Sequence, residues 1–257
     1  MVRRVPLVLW LPLSCLSMSC SRKDAPFGKP ASCFFQDRQV LTLCSAILAS
    51  DARAMEEAID GGANLNLKGR DGITPLLWTL GTGNREAFER LLVAGADPNI
   101  QMEDGRSVMS YSASMDDCAY LRLTLAHGGT PNLVNPVTGR SLLLETMFHH
   151  QLDNMKALVE SGANIDHPSR TGTPPIIDAC YLNRYDMVHY LLLKGADHKA
   201  QTTDGDSVMR CLRDDLKNPH LLRTGERFQA KAKVIDLLGS NGVDVVELRQ
   251  LYRTPTR

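Results

Sequence analysis

From about residue 39 onward, apolar residues come in short stripes of helical spacing, two stripes to a unit, with polar, glycine-bearing turns between units. The second stripe of each unit carries a paired apolar step: Leu91-Leu92, Thr124-Leu125, Leu158-Val159 and Leu191-Leu192. The turn glycines are Gly72, Gly105, Gly139, Gly172 and Gly205, at intervals of 33, 34, 33 and 33 residues. The glycines that close the second stripe are Gly62, Gly95, Gly128, Gly162 and Gly195, at intervals of 33, 33, 34 and 33. In both series the one extra residue falls in the loop after Gly128. Two independent markers with one step predict stacked helical hairpins, each unable to bury its apolar stripe alone.

The local chemistry fits that reading. Asp71-Gly72-Ile73-Thr74-Pro75-Leu76 gives a turn, an N-cap threonine, and a proline at the first helical position, where its missing N–H costs nothing. Ser107, Ser141 and Ser207 are the caps of other units, whereas Pro174-Pro175 leaves the fifth without a hydroxyl cap. Gly83, Asp116, His150 and Asn183 stand between the two helices of successive units and are expected to tolerate a left-handed backbone. Gly-Ala or Gly-Gly ends each second helix.

The ends are irregular, as a stack requires. The first unit predicts only two helices, near 41–49 and 52–60, broken at Ser50-Asp51. The sixth holds about thirteen extra residues between Lys217 and Lys231, before Val234-Ile235 and Leu237-Leu238 resume its second helix. Residues 243–251 read as a capping tail.

The period, the Gly-x-Thr-Pro-Leu turn and the Leu-Leu-x-x-Gly-Ala-x-x-Asn close resemble the ankyrin repeat over about residues 39–247. The resemblance implies an all-α solenoid of about six helix-turn-helix units joined by short β-hairpin-like turns, and a protein that works by binding another protein. One departure is consistent: the histidine usual after Thr-Pro-Leu is Leu77, Ser110, Leu144, Ile177 or Arg210 here. In such arrays partners dock on the turn tips and the inner faces of the first helices. Carried onto this chain, that face comprises Ile73, Arg106, Arg140, Thr173 and Asp206 from the turns. The first helices add Trp78, Tyr111, Met115, Glu145, Phe148, His149, Tyr181 and Leu182. Aromatic residues and arginine are the types that dominate binding hot spots.

The first twenty residues differ from the rest. Arg3 and Arg4 precede an apolar run, Val5 to Leu13, and then small residues, the layout of an export signal over residues 1–19. The run is shorter than the roughly 20 apolar residues that span a bilayer. Leu16-Ser17-Met18-Ser19-Cys20 resembles the lipobox of bacterial lipoproteins, in which the cysteine is acylated, although the leucine stands four residues before Cys20 instead of three. Acylation at Cys20 and ordinary cleavage after Ser19 both remain open. Residues 20–38 read as a tether, and 39–257 as the repeat domain.

Composition narrows the chemistry. Lys plus Arg equals Asp plus Glu at 29 each, and loss of Arg3 and Arg4 leaves the mature chain nearly neutral. No basic field is present to hold nucleic acid. The seven histidines fall at non-equivalent places in the repeats, and His149-His150 point in different directions, so neither a metal site nor a nucleophile–base pair is expected. No cofactor motif is found, and the chain is expected not to be an enzyme. Cys33 and Cys44 are read as small apolar side chains, with pairing in an oxidising compartment as the alternative.

An exported ankyrin array with an aromatic groove resembles the immunity proteins that bind and block phospholipase effectors of the type VI secretion system. That resemblance implies a location in the periplasm or on the periplasmic face of the outer membrane, and a lipase as partner. The alternatives are an envelope scaffold for a resident protein and a secreted effector that engages host proteins.

Overall fold

A computed structural model describes residues 29–218 and 224–253. The proposed export signal, Cys20 and the tether as far as residue 28 lie outside the described residues. Thirteen α-helices and no strands are found among those residues, and the turns show only two isolated antiparallel bridges, Gln101 to Ser107 and Val134 to Ser141. Six hairpins follow one another: α1 (Arg38–Ala49) with α2 (Ala52–Asp60), α3 (Pro75–Leu80) with α4 (Arg85–Val93), and α5 (Val108–Ser114) with α6 (Cys118–Ala126). Then come α7 (Leu142–His149) with α8 (Leu152–Glu160), α9 (Pro175–Tyr181) with α10 (Tyr185–Leu193), and α11 (Val208–Lys217) with α12 (Glu226–Ser240). The capping tail is α13 (Val246–Arg253).

The helix starts follow the cap chemistry. Thr74, Ser107, Ser141 and Ser207 each accept the N–H three residues on, and Ser107 with Ser110 forms a full capping box. Asp37, Asp51 and Asn84 do the same for α1, α2 and α4, each cap contributing about 1 kcal/mol. Pro174 offers no side-chain cap, as expected. Between the helices, Gly83, His150 and Asn183 are left-handed, joined by Ser50 in the first hairpin. Asp116 is not. Helix α5 ends early in an extended Met115, so its hairpin closes without a left-handed residue, and Asp116 instead accepts a hydrogen bond from Gln151 Nε2 at 2.7 Å.

A ladder of amide side chains stitches each unit to the next. Asn66 takes the Asp97 N–H (2.8 Å) and gives to the Gly95 carbonyl (3.5 Å). Asn99 takes the Thr130 N–H (2.7 Å) and gives to Gly128 (2.9 Å), and Asn132 takes the Asn164 N–H (2.7 Å) and gives to Gly162 (3.1 Å). At the next step Asp166 stands where asparagine would. It accepts the Asp197 N–H at 3.4 Å but has no N–H to give. Gly105 is the tightest turn: its φ is 78°, and a β-carbon there would overlap the Asn135 side chain, which itself bonds the Asp104 carbonyl at 3.1 Å.

Both ends depart from expectation. The tether reading overreaches at its C-terminal end, because Ala31–Cys33 forms a short 3₁₀ turn and Phe34 and Phe35 are buried in the core. The Arg70 N–H donates to the Phe34 carbonyl at 2.9 Å, and at Gly69 any side chain would strike Phe34 and the Phe35 ring. This segment therefore lies against the first turn tip. At the other end the extra residues are not simply a loop: α12 starts at Glu226, so residues 226–231 lengthen the second helix. Helix α13 packs on α11 and α12 through the buried Leu248, the stacked rings of Phe228 and Tyr252 (4.2 Å), and Glu247, which meets Arg213 (2.8 Å) and Lys217 (3.1 Å). Cys33 and Cys44 are free thiols, and burial pushes Cys44 up to about 12.

Candidate partner-binding face

The turn tips and first helices bring most, though not all, of the expected residues onto one face. Ile73 (4% exposed) and Trp78 (0%) are corrections to the sequence reading, since both sit in the N-terminal core with Phe34 and Phe35. That cluster joins the segment before α1 to side chains of α1, α2 and α4. Neither side chain is available to a partner. Trp78 is also held without a hydrogen bond on its buried Nε1.

The next unit is intermediate. Tyr111 and Met115 are half-buried against the same core, and the Arg106 guanidinium lies 4.8 Å from the Tyr111 ring centroid. Arg106 also pairs with Asp104 at 2.6 Å. Burial works against both charges, yet the pairing prevails: Asp104 stays below the ordinary carboxylate value and Arg106 rises. Burial pushes the Tyr111 phenol up.

The fourth and fifth units present the open surface. Phe148 is 42% exposed and Tyr181 53%. The Arg140 guanidinium stacks 4.4 Å from the Phe148 ring and reaches Glu145 at 3.8 Å. Tyr181 donates its hydroxyl to Asp206 at 2.6 Å, and burial together with this bond pushes it up to about 12. Asp206 in turn pairs with Arg210 at 3.1 Å. His149 is exposed at the end of α7, whereas Leu182 is half-buried against the C-terminal core. Thr173 is half-buried and bonds Thr171. Val137, at the turn before α7, adds a further exposed apolar side chain.

One residue of this face escaped the sequence reading. Asp178 occupies the place in its unit that Trp78, Tyr111 and Glu145 occupy in theirs, at spacings of 33, 34 and 33 residues, so the repeat register alone was enough to find it. It is half-buried, and burial raises its carboxyl to about 6. Among the described residues no group of three or more His, Cys, Asp or Glu is placed to hold a metal ion.

Exposed aromatic rings and stacked arginines on rigid helices are the residue types enriched at protein-binding hot spots. The sequence comparisons agree on the class. Residues 116–202 match the family model for ankyrin repeats in three copies, and residues 71–103 match the single ankyrin repeat. The chain belongs to the ankyrin-repeat family.

Among its relatives is Protein PhlB of Serratia liquefaciens, 28% identical over 162 residues, which are 63% of this chain and 70% of that protein. Cyclin-dependent kinase 4 inhibitor B of Rattus norvegicus is 30% identical over 109 residues, 42% of this chain and 83% of the relative. Solved structures give the same fold. An ankyrin repeat domain from Acinetobacter baumannii superposes with a TM-score of 0.63 at 22% identity, covering 79% of this chain and 98% of that one. The ankyrin repeat domain of Bcl-3 gives 0.62 at 22%, covering 79% and 86%.

Proposed function

We propose that this chain is an envelope-located immunity protein, which binds a phospholipase effector and blocks its activity by direct contact. The observation that carries the reading is the exposed stripe of Arg140, Phe148 and Tyr181, large side chains that the fold itself leaves uncovered. The arginine-headed apolar N-terminus supports a site of action beyond the cytoplasm, either in the periplasm or anchored through Cys20 to the periplasmic face of the outer membrane. Relatives named as a kinase inhibitor and as regulatory subunit 27 of protein phosphatase 1 support control of an enzyme by an ankyrin array.

The test uses the mature chain and a purified phospholipase effector of the type VI secretion system. Stoichiometric addition should abolish release of fatty acid from phospholipid vesicles, and the purified pair should co-elute. A Phe148→Ala/Tyr181→Ala variant with an unchanged melting curve should lose both effects. Undiminished lipase activity in the presence of the parent chain would sink the reading. Capture of a resident envelope protein in place of the lipase would move the assignment to a scaffold.

A further inference from the structure

The fourth unit carries a small motif on its inner face, and the fifth repeats it without the cation. In the fourth unit Glu145 and Phe148 are three residues apart on α7, so they lie on one side of the helix. Arg140, from the preceding turn, fills the space beside them, with its guanidinium over the ring at 4.4 Å and near the carboxylate at 3.8 Å. In the third unit Arg106 holds the corresponding turn position and stacks on Tyr111, which stands in the register place of Glu145 instead of Phe148. In the fifth unit Asp178 and Tyr181 repeat the carboxylate–aromatic pair on α9 with the same spacing, and α9 packs beside α7. The turn residue here is Thr173, which is too short to reach and carries no charge.

The consequence is visible at Asp178. Among the described residues no cation pairs with its carboxylate and no hydrogen bond reaches it, although it is half-buried and desolvation raises it to about 6. Tyr181, three residues further along α9, has a half-exposed ring fixed by the bond from its hydroxyl to Asp206. A half-buried carboxylate without a counter-charge is costly unless something arrives to pair with it.

We propose that the Asp178–Tyr181 pair is a docking site for an arginine side chain of the partner protein. The guanidinium would stack on the Tyr181 ring and pair with Asp178, as Arg140 does with Phe148 and Glu145 one unit earlier. The inference rests on the partner-binding reading of this face, but it concerns the chemistry of one subsite and does not depend on which partner is involved.

The test therefore needs no partner. The mature chain, labelled with ¹³C and ¹⁵N, is titrated with N-acetylarginine amide and, separately, with its neutral isostere N-acetylcitrulline amide. The arginine compound should shift the Asp178 carboxyl and Tyr181 ring signals saturably and move the Asp178 titration midpoint down. The citrulline compound should do neither. Asp178→Asn should lose the response while melting no lower than the parent, because it removes an unpaired charge. Thr173→Arg should supply the missing cation from within, lowering the Asp178 midpoint and abolishing the response.

Equal shifts from citrulline, an equal response to N-acetyllysine amide, or no saturable shift would overturn the assignment. So would a drop in melting temperature for Asp178→Asn, which would make the residue structural. If the pair binds arginine but the phospholipase is not inhibited, the immunity reading fails alone. If the lipase is blocked and the pair is silent, this inference fails alone.

Discussion

Lys231 offers the sharpest test of how the irregular sixth unit is held. It lies on the part of α12 that lengthens the second helix, and its side chain is 1% exposed. Its Nζ donates to Asn183 Oδ1 at 2.7 Å, pairs with Asp215 at 3.4 Å and sits 4.3 Å from the Tyr185 ring centroid. Tyr185 donates its hydroxyl to the same Asp215 oxygen at 2.8 Å. Burial lowers the Lys231 pKa while Asp215 pulls it back up, so one network ties α9–α10, α11 and α12 together. Lys231→Met keeps the aliphatic stem and removes the charge. Breaking a buried pair from one side costs about 3–5 kcal/mol. Asp215 is 37% exposed and keeps its bond from Tyr185, so water offsets part of that loss and about 2 kcal/mol is expected. Urea unfolding of the single variants and of Lys231→Met/Asp215→Asn should give a coupling of about 1–2 kcal/mol. Hydrogen exchange should show the loss of protection centred on α12, with α3 little affected. A Lys231→Met protein within about 0.5 kcal/mol of the parent, or strictly additive variants, would refute the reasoning.

Three further outcomes follow from the same structure. Trp78→Ala should cost about 3–5 kcal/mol by opening a cavity in the N-terminal core, whereas Trp78→Phe should cost far less, since the lost Nε1–H has no partner; thermal melts decide. Asn154, buried on α8, gives its amide to the carbonyls of Ser112, Ala113 and Met115, so Asn154→Ala should destabilise the array by about 2 kcal/mol or more, read by urea titration. Asp178 has a folded pKa of about 6 against an ordinary 3.8, so its contribution is fully present below about pH 4 and lost as pH rises through 6. With contact to water discounting the shift, the loss is about 1–2 kcal/mol, and Asp178→Asn should flatten the stability profile between pH 4 and 6.

What the sequence determined by itself is local or periodic. The hydroxyl caps, the turn glycines and the left-handed His150 and Asn183 depend on residues within one turn of chain, and they stand where the pattern put them. The 33-residue step implied stacking because each hairpin exposes an apolar stripe that only a like neighbour can cover. Asp116 shows the limit even there, because the early end of α5 removed the need for a left-handed residue. Only the tertiary structure decided what covers the ends. Phe34 and Phe35 lie outside the repeat and carry no periodic signal, yet they join the buried cluster that holds Ile73 and Trp78, whose burial shortens the candidate face from its N-terminal side. Lys231 looked like one charge among many in an insertion, and its surroundings combine Asn183 of the fifth unit with Asp215 from α11 of its own. Exposure of Phe148 and Tyr181, and the unpaired state of Asp178, likewise depend on which side chain the neighbouring turn supplies: an arginine in one unit and a threonine in the next.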